Sequence, residues 1–156
     1  MDILFKDIWS CFDEFWRFYK NKKVRKAEKD VSLISALVST SINDLEFLDK
    51  LIIDKISTRK IMCNYYGVLR SVLEGIALAE GYKVYSHEAV TYLLKEKHEF
   101  VIADKFDRFR KIRNNINYYG EDISVVEVEE NSEQRKKVMI ELRNKYLGEF
   151  LWKGDR

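Results

Sequence analysis

Between Asp104 and Gly120 the chain reads Asp-Lys-Phe-Asp-Arg-Phe-Arg-Lys-Ile-Arg-Asn-Asn-Ile-Asn-Tyr-Tyr-Gly, and its guanidinium and amide groups are the residues best suited to chemistry. At about 100° per residue, Arg110, Arg113, Asn114 and Asn117 fall on one arc of a helix, while Phe109, Ile112, Ile116 and Tyr119 fall on another. The second arc is expected to face the core. The first is poor core material, and Asn114, Asn115 and Asn117 are mediocre helix formers, a local conflict of the kind that functional sites carry. The chain's formal charge is only +2, so affinity for nucleic acid would have to come from local clusters such as this stripe.

A second basic cluster, Arg17, Lys20, Lys22, Lys23, Arg25, Lys26 and Lys29 against the single Glu28, reads either as a solvated helix end complementing the macrodipole or as a phosphate-contacting patch. Arg70 and Glu74 form a third polar feature, an i, i+4 pair in an otherwise apolar helix. It is either a half-exposed ion pair or a device by which Glu74 orients an arginine of the 104–120 helix.

The elements that must hold these groups are helical by periodicity. Phe5, Ile8, Trp9, Phe12, Phe15, Trp16 and Tyr19 predict an amphipathic aromatic helix from Leu4 to about Lys29. A second helix, capped by Asp30 or Ser32, runs to about Ile56, with Ile34, Val38, Ile42, Leu45, Leu48, Ile52 and Ile56 on its stripe. A third follows a turn at Ser57 and Thr58, carries Ile61, Tyr65, Leu69, Val72, Leu73 and Ile76 inward, and ends near Ala79 or Glu80 with Gly81 as a left-handed cap. Gly67, Ser71, Gly75 and Ala79 line one edge of it. Each mid-helix glycine costs about 1 kcal/mol relative to alanine, which close packing would offset, either within the chain or across a dimer seam.

Gly81 to Tyr85 is expected to be a loop, and Ser86 to cap a short helix to about Lys97 with Ala89, Val90, Leu93 and Leu94 inward. His87, in its first turn, is expected at the surface rather than as a ligand. The Arg/Asn helix then begins near Val101 and ends at Tyr119 with Gly120 as cap. Glu121 to Glu133 is acidic without a basic residue and reads as a loop, followed by a last helix from about Ser132 to Trp152 that packs Met139, Leu142, Tyr146, Phe150 and Leu151.

Length and composition fit this picture. A chain of 156 residues, 46% hydrophobic and 35% charged, suits one all-α domain, an antiparallel bundle of four to five long helices plus one short one. The absence of proline leaves long helices unbroken. Cys11 and Cys63 are far apart and read as buried free thiols. With His87 and His98 the only imidazoles, no zinc spacing arises, and neither metal nor cofactor is expected. No apolar run of signal or membrane-spanning length is evident, so a cytosolic protein without a membrane partner is expected.

At Arg113-Asn114-Asn115-Ile116-Asn117-Tyr118 the chain resembles the signature of the HEPN family (higher eukaryotes and prokaryotes nucleotide-binding domain), small antiparallel helical bundles. Their penultimate core helix carries Arg, a neighbouring polar residue, and His after four to six intervening residues. The likeness spans about residues 30–152, with the aromatic helix at 4–29 as an addition. It implies a homodimer in which Arg113 holds a scissile phosphate, Asn114 orients a hydroxyl, and an imidazole moves protons without metal. Here Tyr118 stands where the shortest spacing puts histidine, and a phenol with an unperturbed pKa of ~10 is a weak base at neutral pH. The resemblance therefore implies a non-catalytic or degenerate member, binding RNA or nucleotide or pairing with a nucleotidyltransferase-type antitoxin; the residue pattern adds Arg110, Asn117, Glu74 and Arg70 as candidate binding residues. The alternatives are a metal-independent endoribonuclease using Arg113, Asn114 and Tyr118, and a structural interaction bundle.

Overall fold

A computed structural model describes residues 15–151. It is a packed helical bundle with one small sheet: α1 (residues 15–20), β1 (Val24–Lys26), α2 (Val31–Asp49), α3 (Thr58–Ala79), β2 (Tyr82–Val84), α4 (His87–Glu96), α5 (Phe100–Tyr119), α6 (Val125–Leu147) and a final 3-10 turn, Gly148–Phe150. The all-α expectation holds in its main lines. α3 is the central element, packed against α2, α6, α5, α4 and β2. Its predicted inward set, Ile61, Tyr65, Leu69, Val72, Leu73 and Ile76, is fully buried.

The aromatic helix stops much earlier than its charge pattern suggested. α1 ends at residue 20, Lys22 takes a left-handed φ of 59°, and residues 24–26 become a strand. Val24, Arg25 and Lys26 pair antiparallel with Val84, Lys83 and Tyr82, so the expected 81–85 loop is largely the other strand. Gly81, with φ 86°, makes the entry turn and accepts from the Ala27 N–H at 2.9 Å. Phe15 and Phe18 are buried, edge-on to Tyr82 and tilted against Tyr92 respectively, whereas Trp16 is 40% exposed. Phe5, Ile8, Trp9, Phe12 and Cys11 lie outside the described residues.

α2 starts as expected, with the Asp30 carboxylate accepting from the Leu33 N–H at 2.9 Å. It ends at Asp49 because the next segment satisfies its own backbone. Asp54 Oδ1 accepts from the Ile56 and Ser57 N–H groups at 2.8 Å, and Ser57 Oγ donates to the Ile52 carbonyl at 2.9 Å. Ile52 and Ile56 are consequently 81% and 91% exposed rather than core. By length and composition α2 could cross a membrane; here Ile34, Val38 and Leu48 are buried against the bundle.

The acidic segment is the second large correction. Ser124 and Glu127 form a capping box, in which each side chain accepts from the other's backbone N–H, and α6 begins at Val125. Glu127 then sits in its first turn, where the helix dipole favours negative charge. α6 ends at Leu147, and Phe150 reaches the core from the 3-10 turn. Trp152 lies outside the described residues. Tyr65 Oη and Lys136 Nζ both donate to Asp49 Oδ1, at 2.9 and 2.6 Å, tying α3 and α6 to the end of α2.

Arg135 of α6 is fully buried, its guanidinium carbon 4.1 Å from the Phe109 ring centroid and one nitrogen on Met62 Sδ. Its Nε and Nη2 have no partner, and burial lowers its pKa to about 9.

The small-residue edge of α3 divides in two. A Cβ on Gly75 would come 3.2 Å from Leu147 Cδ1, so that contact lies within the chain, whereas one on Gly67 would meet nothing within 4 Å. Gly67→Ala should therefore stabilise by about 0.5–1 kcal/mol, and Gly75→Leu should destabilise by about 1–3 kcal/mol through overpacking. Urea midpoints check both, and a less stable Gly67→Ala would contradict the packing described.

Candidate functional site

α3, α4 and α5 meet at a polar seam. Tyr66, Arg70 and Glu74 lie at i, i+4 and i+8 on α3, hence on one face. β2 and the extended Ser86 deliver His87, the first residue of α4, onto that face. α5 brings Arg110, Arg113, Asn114 and Tyr118 alongside.

His87 is the hinge of the network. Its Nδ1 lies 2.6 Å from Tyr66 Oη and its Nε2 lies 2.7 Å from Arg70 Nη1. The two rings are nearly parallel, at 4° with centroids 5.6 Å apart. A guanidinium only donates, so Nε2 must accept and the ring proton must sit on Nδ1, donated to the Tyr66 oxygen. The imidazole is thus neutral. Burial pushes its pKa down to about 4, and the charges of Arg70, Arg113 and Arg110 add to the effect. Burial also pushes the Tyr66 phenol up to about 12, against the pull of the same arginines. Tyr66 further stacks on Phe106, centroids 5.5 Å apart.

The three guanidiniums differ in how far they are neutralised. Arg70 Nη2 pairs with Glu74 Oε1 at 3.0 Å. Arg110 donates to Asp107 Oδ1 through Nε and Nη2, at 3.0 and 2.7 Å, and Lys111 holds the other carboxylate oxygen at 2.9 Å. Burial opposes the Asp107 charge, but Lys111 and Arg110 outweigh it and keep the carboxyl below its usual range. Arg113 has only the Asn114 amide oxygen, at 3.2 Å, and no carboxylate within ion-pair distance among the described residues. Its guanidinium carbon lies 5.9 Å from the Tyr66 centroid and 5.8 Å from that of Tyr118.

Of the predicted site residues, Arg70, Glu74, Arg110, Arg113 and Asn114 thus come together, with the Tyr118 ring beside Arg113. Asn117 belongs elsewhere: its amide oxygen accepts from the Cys63 thiol at 3.4 Å, in a hollow of about 300 Å³ with Arg59, Lys60 and Ile56. Glu74 orients Arg70 and not an arginine of α5. Tyr119, assigned to the apolar arc, is 78% exposed, and Tyr118 is 70% exposed, since α5 outruns its neighbours before Gly120 turns the chain at φ 65°. His87 and Tyr66 were missed. The repeat of Tyr66, Arg70 and Glu74 along α3 was the one signal for them.

Chemically, the seam offers one guanidinium without an acid, an adjacent amide and an exposed phenol, which suits an anion's oxygens. Among the described residues its bases are engaged: Glu74 is paired with Arg70. Arg70 occupies the only lone pair of His87, and a phenol is a weak base at neutral pH.

A folded-state pKa below the unfolded 6.5 means the unfolded chain binds more protons between those values. The stability His87 supplies is therefore full above pH 6.5 and declines as pH falls toward 4. His87→Gln, which does not titrate, should lose less stability than the native chain between about pH 7 and pH 4.5 in urea titrations; parallel losses would contradict a neutral, capped imidazole. Compared with known proteins, no family model matches this chain and no curated protein matches it.

Proposed function

We propose that the chain is a HEPN-like helical homodimer of the cytosol that binds the phosphate of RNA or of a nucleotide at Arg113 and does not cleave it. The observation carrying this reading is the charge asymmetry of the seam. Arg70 and Arg110 each have a carboxylate, and Arg113 has none among the described residues. In the proposed complex Arg113 takes two phosphate oxygens, while Asn114 and the Tyr118 hydroxyl donate to the remainder. Arg70 and Arg110 add field without needing to move.

The absence of catalysis follows from the proton inventory. In-line cleavage by a 2′-hydroxyl needs a base within hydrogen-bond reach. With the His87 lone pair covered by Arg70, the site supports positioning and not proton transfer. The exposure of Tyr118 and Tyr119, 70% and 78%, also favours a second role for this end of α5, as the surface met by a nucleotidyltransferase-type partner.

The test is retention of labelled RNA on filters in EDTA, at low and high salt, for the native chain and Arg113→Ala. The variant should bind about tenfold more weakly and show a salt slope smaller by about one. Unchanged affinity, or retention indifferent to salt, sinks the reading. RNA cleavage above the variant's level would instead establish the metal-independent endoribonuclease.

A further inference from the structure

The two-stranded sheet carries a second set of cations that the seam does not use. Arg25 and Lys83 are direct cross-strand partners, and like charges placed opposite one another destabilise a strand pair. Neither has a carboxylate within ion-pair distance among the described residues. Both instead lie near the ring of Tyr85, the Arg25 guanidinium carbon at 5.4 Å and Lys83 Nζ at 5.7 Å from its centroid. Tyr85 is 49% exposed, and its backbone N–H donates to the Lys23 carbonyl at 2.7 Å, fixing it to the end of the sheet.

The approach to the sheet is basic as well. Lys22 holds φ 59°, a left-handed conformation where glycine or asparagine costs less. Lys20, Lys22, Arg25 and Lys26 border a shallow open hollow of about 470 Å³ beside β1. Repelling cations around a half-exposed aromatic ring suit a ligand with alternating phosphates and flat bases. An acidic peptide would use the cations and leave the ring without a role.

We propose that the β1–β2 sheet is a platform for single-stranded nucleic acid, with a base stacked on Tyr85 and the flanking phosphates on Arg25 and Lys83. Tyr85 precedes His87 by two residues, so the platform adjoins the seam along the chain, and the proposal includes one strand running from it to Arg113. That continuity, and not the platform itself, rests on the function proposed above.

The experiment is fluorescence anisotropy with a labelled oligouridylate of about twelve nucleotides, and in parallel with labelled uridine monophosphate. Proteins compared are the native chain, Tyr85→Ala, Lys83→Glu and Arg113→Ala. Lys83→Glu places an acid opposite Arg25 and so does not weaken the sheet; melting curves verify that each variant folds. Tyr85→Ala should bind the oligonucleotide about tenfold more weakly, and Lys83→Glu at least as weakly with a lower salt slope. Both should bind the mononucleotide as the native chain does, while Arg113→Ala loses it. Native-like oligonucleotide binding by both sheet variants overturns the platform, as does a native chain that ignores the oligonucleotide. Mononucleotide binding that persists in those cases leaves the Arg113 reading intact. Loss of mononucleotide binding with Tyr85-dependent oligonucleotide binding separates the two in the other direction. Competition by polyglutamate that is insensitive to Tyr85→Ala also overturns the platform in favour of an acidic protein segment.

Discussion

The burial of α3 constrains everything around it. Ile61, Met62, Tyr65, Tyr66, Val68, Leu69, Val72, Leu73, Ile76 and Ala77 are each 6% exposed or less, and at about 100° per residue these positions cover roughly half of the helix perimeter. A helix enclosed to that extent needs partners on several sides, which α2, α6, α5, α4 and β2 supply. Arg59 and Lys60 are exposed near its start; further along, its charged residues emerge at a joint between partners. Arg70 and Glu74 do so where α4 and α5 meet, and that is why the polar groups of three helices converge there.

Inside the joint the electrostatics are unusual. Arg135 is buried with two nitrogens unpaired, its charge balanced only by the face of Phe109 and a thioether. An apolar residue of similar volume would generally cost less. At a pKa of about 9 it remains a cation at neutral pH, and its charge acts on Tyr66 together with those of Arg70, Arg113 and Arg110. Arg135 therefore adds to the positive field at Tyr66, while burial, aided by the charges of Arg70, Arg113 and Arg110, keeps His87 deprotonated.

Much of this was legible from periodicity. α3, α4 and α5 had their ends predicted to within a residue or two, and their inward residues too apart from Tyr119, because three-and-four spacing and glycine caps are local signals. The errors were local signals overruled or overlooked. The 121–133 segment looked like a loop by composition, while Ser124 and Glu127 at capping-box spacing marked a helix start. α2 kept its apolar period through Ile56, but Asp54 and Ser57 captured the backbone and ended it. Strands of three residues are too short to show alternation, so β1 disappeared into a basic helix. His87 was misjudged because its partner Tyr66 lies 21 residues away in sequence, and no local pattern encodes that contact.

The same contact decides how the seam behaves with a ligand. Arg70 divides its donors between Glu74 and His87, and its Nε is buried without a partner. An anion arriving at Arg113 competes for that guanidinium, since an oxyanion is a stronger acceptor than a neutral imidazole. If Arg70 turns toward the anion, the His87 lone pair is released next to a negative charge, and both changes raise its proton affinity. If Arg70 stays, the imidazole remains neutral and the phosphate of the proposed complex would rest on Arg113, Asn114 and Tyr118 alone. The carboxylate of Glu74 favours the second course, because it anchors Arg70 at the far end. The i, i+4 pair on α3 thus favours a capped, neutral imidazole.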